Sequence, residues 1–194
     1  MRNATSGAGW ATWLYDPKNV AGGVVMQLGV HGIDLVQHLF GPIAAVSAYS
    51  STMKPQCRLE DGEEVRMTLE DNVVAIYELA AGFNATHEMS WTEVSGTDRF
   101  RLEVYFEDGT VWLRTNEGAA LFSKSRKHGP ADWQSATLNR EPLGQSHHRH
   151  WLKVVRGSVP PDDTAQAGLS ASIVAEHIYR SIVERRSQTV DCKG

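Results

Sequence analysis

Between residues 22 and 41 the chain reads GGVVMQLGVHGIDLVQHLFG, and Gln27, His31, Asp34 and His38 stand among its apolar residues at steps of four, three and four. On a helix of 3.6 residues per turn, with Gln27 as zero, His31 falls at about 40°, Asp34 at about 340° and His38 at about 20°. The four polar side chains therefore form one narrow line. An imidazole titrates near neutral pH and can exchange a proton with a hydroxyl or carbonyl group. A carboxylate one turn away can orient that imidazole, whereas an amide such as Gln27 can only hydrogen-bond. The same stripe is also what the wet side of any amphipathic surface helix shows. Residue spacing leaves both readings open.

The elements that must hold this line follow from the pattern on either side of it. Val25, Leu28, Gly32, Leu35 and Leu39 recur at steps of three and four, which predicts an amphipathic helix buried along that stripe and closed by Gly41-Pro42. The glycine pair Gly22-Gly23 would let another backbone or a ligand come close to the helix N-terminus. Residues 1–21 show no sustained period and read as an irregular lead-in carrying Trp10, Trp13 and Tyr15. After a short strand at 43–51 and a loop containing Pro55 and Gly62, two β-hairpins are predicted. In the first, Val73, Ala75, Tyr77 and Leu79 alternate, the chain turns at Ala81-Gly82, and Phe83, Ala85, His87, Met89 and Trp91 return. In the second, Phe100 to Phe106 alternates with Arg101, Glu103, Tyr105 and Glu107 and turns at Asp108-Gly109. Residues 116–145 are poor in period and rich in Gly and Pro. They read as a long surface excursion with one short strand at ALFSKS.

A helix is expected from near Ser146 to Gly157. A second follows Pro160-Pro161, capped by Asp162, Asp163 and Thr164, with the stripe Ala171, Val174, Ala175, Ile178 and Ile182. The sequence QTVD suggests a last edge strand. Helix, strands, helix, helix, with hairpins between, is the order of an α+β fold: an open antiparallel or mixed β-sheet with helices packed on one face, in a single domain over residues 1–194. The alternating βα pattern of a nucleotide-binding sheet does not occur.

Composition narrows the partners. Of the 194 residues, 19 are basic and 23 acidic, giving a net charge of -4 with no basic run, so neither nucleic acid nor an anionic membrane surface is expected. No apolar stretch reaches the roughly 20 residues that cross a bilayer, and the first residues do not resemble a signal peptide, so a cytoplasmic location is expected. Cys57 and Cys192 lie far apart without a CxxC spacing and read as ordinary thiols. His147, His148 and His150 cluster at a helix start, but no carboxylate or cysteine completes a metal spacing, so no metal site is assigned. His87 shares its strand face with Phe83, Met89 and Trp91, as a core or cleft-wall histidine would. Trp13 and Tyr15 are candidates to stack on a substrate ring or to anchor packing.

The stretch DPKNVAGGVVMQLGVHGIDLVQHLFGPI resembles the signature of the second domain of the glucose-fructose oxidoreductase and inositol dehydrogenase (Gfo/Idh/MocA) family, G-G-G-x-x-x-D-x-G-x-H-x-x-D, which Gly22, Gly23, Gly29, His31 and Asp34 match. The sequence from His147 to Arg186 is similar to the family's closing pair of helices, so the likeness covers almost the whole chain. The resemblance implies an NAD- or NADP-dependent oxidoreductase acting on a sugar or polyol. It implies His31 as acid/base or hydroxyl-binding residue and Asp34 as its support or a substrate contact; Gln27 would hydrogen-bond the same substrate group as His31, and Trp13, Tyr15 and His87 are further candidates to line the substrate.

The family's aspartate position holds Gln27, which cannot carry a proton, so any relay rests on His31 or on groups from elsewhere. No residue here is assigned to the cofactor. GAGWAT at 7–12 has neither a strand before it nor a third glycine, and MKP at 53–55 follows the motif helix, where the family's Lys-Pro pair precedes it. The resemblance therefore implies that a Rossmann-domain partner, or an N-terminal domain outside this chain, brings the NAD or NADP. It also implies a homo-oligomer built through the sheet. A non-catalytic oligomerisation module, or a cofactor-free lyase or isomerase using His31, are the competing expectations.

Overall fold

The two predicted hairpins form the middle of the sheet. In a computed structural model that describes residues 1–6, 11–58, 62–94, 100–114, 118–123, 133–135 and 143–191, β5 (Asn72–Leu79) pairs antiparallel with β6 (Asn84–Ser90), and β7 (Phe100–Phe106) with β8 (Gly109–Arg114). Gly82, at φ +89°, takes the left-handed conformation that the first turn requires. The second turn falls one residue earlier than expected. Phe106 faces Gly109 directly, so Glu107 and Asp108 are its central residues, and Gly109 opens the returning strand.

The described residues form a nine-stranded mixed sheet. The remaining strands are β1 (Arg2–Ala4), β2 (Ile43–Ser51), β9 (Gly118–Ser123), β10 (Trp133–Ser135) and β11 (Gln188–Thr189), and the order is β10-β9-β8-β7-β1-β6-β5-β2-β11. A separate two-stranded ribbon joins β3 (Gln56–Arg58) to β4 (Glu64–Arg66). The lead-in is thus not wholly irregular. Its first residues supply the strand that joins the two hairpins, parallel to β6 and antiparallel to β7. Three residues of sequence RNA carry too short a pattern to announce a strand. The excursion at 116–145 likewise contains two strands, one of them near the predicted ALFSKS, and QTVD supplies the edge strand β11 as expected.

Alternation separates the faces. Val73, Ala75, Tyr77 and Leu79 are buried, while Val74, Ile76 and Glu78 between them are exposed on the open side. Against the buried face lie α1 (Val30–Phe40) and α3 (Thr164–Glu184), which pack on that one side of the sheet as expected. α3 buries Ala171, Val174, Ala175 and Ile178, as predicted, while Ile182 of the same stripe is half-buried, and Ser181 Oγ accepts the Ala48 N–H of β2 at 3.0 Å. α2 (Leu143–Val155) begins before the expected Ser146 and is exposed along nearly its whole length.

The motif helix departs from a uniform α-helix. Val25–Gly29 forms a π-helical turn in which the Val30 N–H reaches back to the Val25 carbonyl. The additional residue in that turn rotates everything after it relative to Gln27. The buried stripe consequently runs through Val25, Leu28, Gly29, Gly32, Ile33 and Val36, while the predicted Leu35 is half-buried and Leu39 is exposed.

Glycines set how close this helix lies to the sheet. A Cβ at Gly29 would stand 2.4 Å from Met89 Sδ, and one at Gly32 would stand 2.1 Å from Asn3 Oδ1 and 2.7 Å from His87 Cε1. Gly168, exposed on α3, would place a Cβ in open space. Gly32→Ala is therefore expected to lower stability by about 1–3 kcal/mol through overpacking, and Gly168→Ala to raise it by about 0.5–1 kcal/mol through helix propensity. Urea titrations of both variants check the contrast, and equal effects would contradict it.

Candidate functional site

The N-terminus of the motif helix is held by a residue distant in sequence. The Glu70 carboxylate accepts the N–H groups of Gly23 at 3.1 Å and Val25 at 3.2 Å, and the Glu70 carbonyl accepts the Val24 N–H at 3.0 Å. These are among the amides that a helix start leaves without an intrahelical acceptor, and a carboxylate placed there also meets the positive end of the helix dipole. Tyr179 of α3 donates its hydroxyl to Glu70 Oε1 at 2.7 Å. Burial, and then the Glu70 charge, push the Tyr179 phenol far up, so it remains a donor. The glycine pair is explained by this junction: a Cβ at Gly22 would lie 1.9 Å from the Tyr179 hydroxyl, and one at Gly23 2.2 Å from the Glu70 carbonyl oxygen. Another backbone, that of Glu70, comes close at Gly23, as the glycine pair allows, while the neighbour at Gly22 is the Tyr179 side chain. Sequence reasoning missed Glu70 because nothing local in LEDN marks it as a cap for a helix 45 residues earlier.

Gln27 sits in the π-helical turn, half-buried. Its amide nitrogen donates to the Leu14 carbonyl at 2.8 Å and the Gly22 carbonyl at 3.3 Å. It thereby ties the 3-10 turn Thr12–Tyr15 to the start of the helix. Tyr15 is buried edge-on against Trp91 at 6.1 Å between ring centroids, so it is a packing anchor and not a substrate-stacking ring. Trp13, from the same turn, is 56% exposed. His31 and Asp34 lie together on the exposed side of α1, opposite the sheet.

His87 belongs to the other side of the helix. It is fully buried beneath Gly32, with Nδ1 2.8 Å from the Tyr77 hydroxyl and Nε2 2.6 Å from Asn3 Oδ1. Asn3 Oδ1 can only accept, so Nε2 donates to it and Nδ1 accepts from Tyr77. With both nitrogens engaged, His87 is placed in the core and not on a substrate-lining wall, which corrects that expectation. Further out, His148 contacts the Gly144 carbonyl and His150 pairs with Asp162 at 3.1 Å. The residues GAGW at 7–10, including Trp10, and Cys192 lie outside the described residues.

Two grooves can be outlined among the described residues. One of about 200 Å³ lies by Tyr49, Asn72 and Met89, and one of about 360 Å³ lies between α1, β6 and β7; neither is lined by Gln27, His31 or Asp34. The exposed His31 and Asp34 thus stand on a helix seated closely against its neighbours.

Comparison with known proteins matches residues 1–112 to the family model described as the GFO/IDH/MocA C-terminal domain. The chain belongs to this family. It is 24% identical over 182 residues to D-apiose dehydrogenase of Paraburkholderia graminis, covering 88% of this chain and 45% of that protein. Among solved structures, it is similar in fold to a levoglucosan dehydrogenase in complex with NADH and L-sorbose (TM-score 0.81, 14% identity, 98% of this chain and 57% of that one). A second is an NAD binding oxidoreductase from Klebsiella pneumoniae (TM-score 0.79, 19% identity, 98% and 57%). The chain spans about half the length of these relatives. As in the family's C-terminal domains, an open mixed sheet carries the fold, and the described residues include no alternating βα nucleotide-binding sheet.

The buried histidine gives this domain a pH signature. Burial, and secondarily the nearby α-amino group, lower the His87 imidazole to about 3, so it is neutral in the folded chain. In the unfolded chain it takes up a proton near pH 6.5. Its contribution to stability is therefore complete above about pH 6.5 and is lost as pH falls toward 3, at up to about 1.4 kcal/mol per pH unit. Between pH 7.5 and 5.0 the parent chain is expected to lose about 2 kcal/mol more than a His87→Gln variant, measured by denaturant unfolding. Parallel losses would contradict the assignment.

Proposed function

We propose that this domain is the substrate-binding half of an NAD(P)-dependent oxidoreductase acting on a sugar or polyol, completed by a nucleotide-binding body that faces the exposed side of α1. The observation that carries the reading is the pairing of an exposed His31 and Asp34 with a helix whose start is fixed by Glu70 and whose opposite side is pinned to the sheet by Gly29 and Gly32. A proton-transfer group has to be held to within a fraction of an ångström of its partner, and a helix anchored at its end and along its side meets that demand better than a loop.

The described residues do not themselves fit a dinucleotide. The helix N-terminus that would receive a phosphate is filled by the Glu70 carboxylate, which would meet a pyrophosphate as like charge. We therefore assign the cofactor entirely to the other body, where its nicotinamide supplies the hydride chemistry. This chain's part is the proton: His31 takes it from, or returns it to, the substrate oxygen, and Asp34 orients the imidazole or binds a neighbouring hydroxyl. Gln27 occupies the position of the family's aspartate, but its amide is spent on Leu14 and Gly22, so its role is to hold the Trp13 turn beside the site. Trp13 is the aromatic available to a sugar face. The open side of the sheet, where Tyr49, Val74 and Ile76 are exposed, is the surface through which we place self-association.

The uncharged Gln27 also favours a second reading, a non-catalytic module that retains the sheet for assembly. Replacement of His31 by Ala separates the two. In the enzyme completed with its nucleotide-binding body, turnover is expected to fall at least about tenfold with folding unchanged, whereas equal turnover in parent and variant would remove His31 from the chemistry.

A further inference from the structure

The excursion between β2 and β5 is built as a fixed projection. Its base is clamped by the buried Asp71, whose carboxylate accepts the N–H groups of Met53 and Lys54, each at 2.7 Å, and the Asn72 side-chain amide at 2.9 Å. The Asp71 N–H donates to the Ser51 carbonyl at 3.2 Å, and the Trp91 N–H donates to the Asp71 carbonyl at 2.8 Å, so the clamp is continuous with the main sheet. Beyond the base, the Met67 N–H donates to the Pro55 carbonyl at 3.0 Å, and β3 and β4 run antiparallel with Cys57 opposite Val65. Val65 and Met67 pack against the core and hold the ribbon down.

Two carboxylates carry this projection to the motif helix and its surroundings. Glu70, near its end, completes the helix start. Glu63, immediately before β4, accepts the Thr12 hydroxyl at 3.2 Å. Thr12 precedes Trp13 in the 3-10 turn, and consecutive Cα atoms lie about 3.8 Å apart. The same turn is bound by Gln27, whose amide donates to the Leu14 carbonyl at 2.8 Å. His31 follows Gln27 by about 6 Å of helix rise. The turn that carries Trp13 is therefore tied by one side chain to the helix of His31 and by another to the ribbon of Glu63.

Thr12 and Glu63 are both exposed, so water competes for their hydrogen bond and its contribution to stability is modest. What the bond does is set a carboxylate beside an aromatic ring that is 56% exposed. An apolar surface with a few placed polar groups is what a small-molecule site requires. A sugar that lays its C–H face on an indole leaves its hydroxyls around the rim, where an acceptor can meet them. An ionised carboxylate only accepts, with about four lone-pair positions, so it serves a substrate hydroxyl together with Thr12.

Resting on the functional reading above, we propose that Glu63 is a specificity-determining residue, whose carboxylate accepts a hydrogen bond from a rim hydroxyl of the sugar stacked on Trp13. The β3–β4 ribbon is then one wall of the substrate site, and α1 with His31 is another. The arrangement selects a polyhydroxy substrate that carries a hydroxyl at the ribbon side as well as the one that exchanges its proton with His31. A site of this kind discriminates strongly against an analogue lacking the hydroxyl, because its own polar group is left unpaired.

Steady-state kinetics of the completed enzyme test this, on its sugar or polyol substrate and on the monodeoxy analogues of that substrate. In Glu63→Ala, KM for the full substrate is expected to rise at least about tenfold with kcat within about threefold of the parent, as for a contact made equally in ground and transition states. For one monodeoxy analogue, parent and variant are expected to share the same KM, because the partner hydroxyl is already gone. Glu63→Gln, which keeps an acceptor oxygen, is expected to fall between the two. An unchanged KM in Glu63→Ala overturns the proposal. A rise of equal size for every analogue also overturns it, since that is the mark of a tether that only holds the Trp13 turn. In both cases continued nicotinamide-dependent turnover leaves the functional reading standing. If the completed enzyme turns over no sugar or polyol with NAD or NADP, the functional reading falls and the role of Glu63 falls with it.

Discussion

Everything at the proposed site depends on one steric condition: the motif helix lies closer to its neighbours than a helix with ordinary side chains can. Four glycines make that approach possible. Gly22 and Gly23 admit Tyr179 and the backbone of Glu70, and Gly29 and Gly32 admit Met89, Asn3 and His87. Close approach then lets a carboxylate complete the helix start and lets a buried Asn3–His87–Tyr77 chain of hydrogen bonds lie directly beneath the residue after His31. Such a buried polar chain is specific because every member is satisfied; any one left unpaired would cost stability. The helix is thereby fixed in position along its length and at its end, and its remaining side is free to present chemistry.

Much of the fold was legible in the sequence, because it rests on local periodicity. The alternations from Val73 to Met89 and from Phe100 to Arg114 specified two hairpins, and the stripe of α3 specified which of its faces is buried. The failures have physical causes. A π-helical turn leaves no trace in a 3.6-residue wheel, so the predicted stripe holds at Val25, Leu28 and Gly32 but drifts off the buried face at Leu35 and Leu39, where Ile33 and Val36 are buried instead. β1 was missed because three residues cannot display a period. The second turn was shifted by one because Asp108-Gly109 is a strong turn dipeptide, whereas the pairing of Phe106 with Gly109 closes the hairpin over Glu107 and Asp108.

The site was legible in part for a different reason. His31 and Asp34 are exposed on the helix, as the polar stripe suggests, because they lie opposite its glycine-rich contact face. What the sequence did not contain was the partner of each anchoring group. Glu70 is an ordinary acidic residue until the fold carries it to the helix start, and Gln27 looks like a substrate ligand until the lead-in turn accepts its amide. His87 and Tyr15, two side chains capable of site chemistry, are instead committed to the interior. The functional reading is narrower for these reassignments: it places proton transfer on His31, orientation on Asp34 and ring stacking on Trp13, and it leaves the nucleotide to another body.

The most direct measurement is a crystal structure of the completed enzyme with a sugar or polyol bound. The account predicts that a His31 ring nitrogen lies within about 2.6–3.2 Å of a substrate oxygen, in a cleft closed by the nucleotide-binding half over α1. A substrate bound away from α1, with His31 still facing bulk solvent, would contradict it.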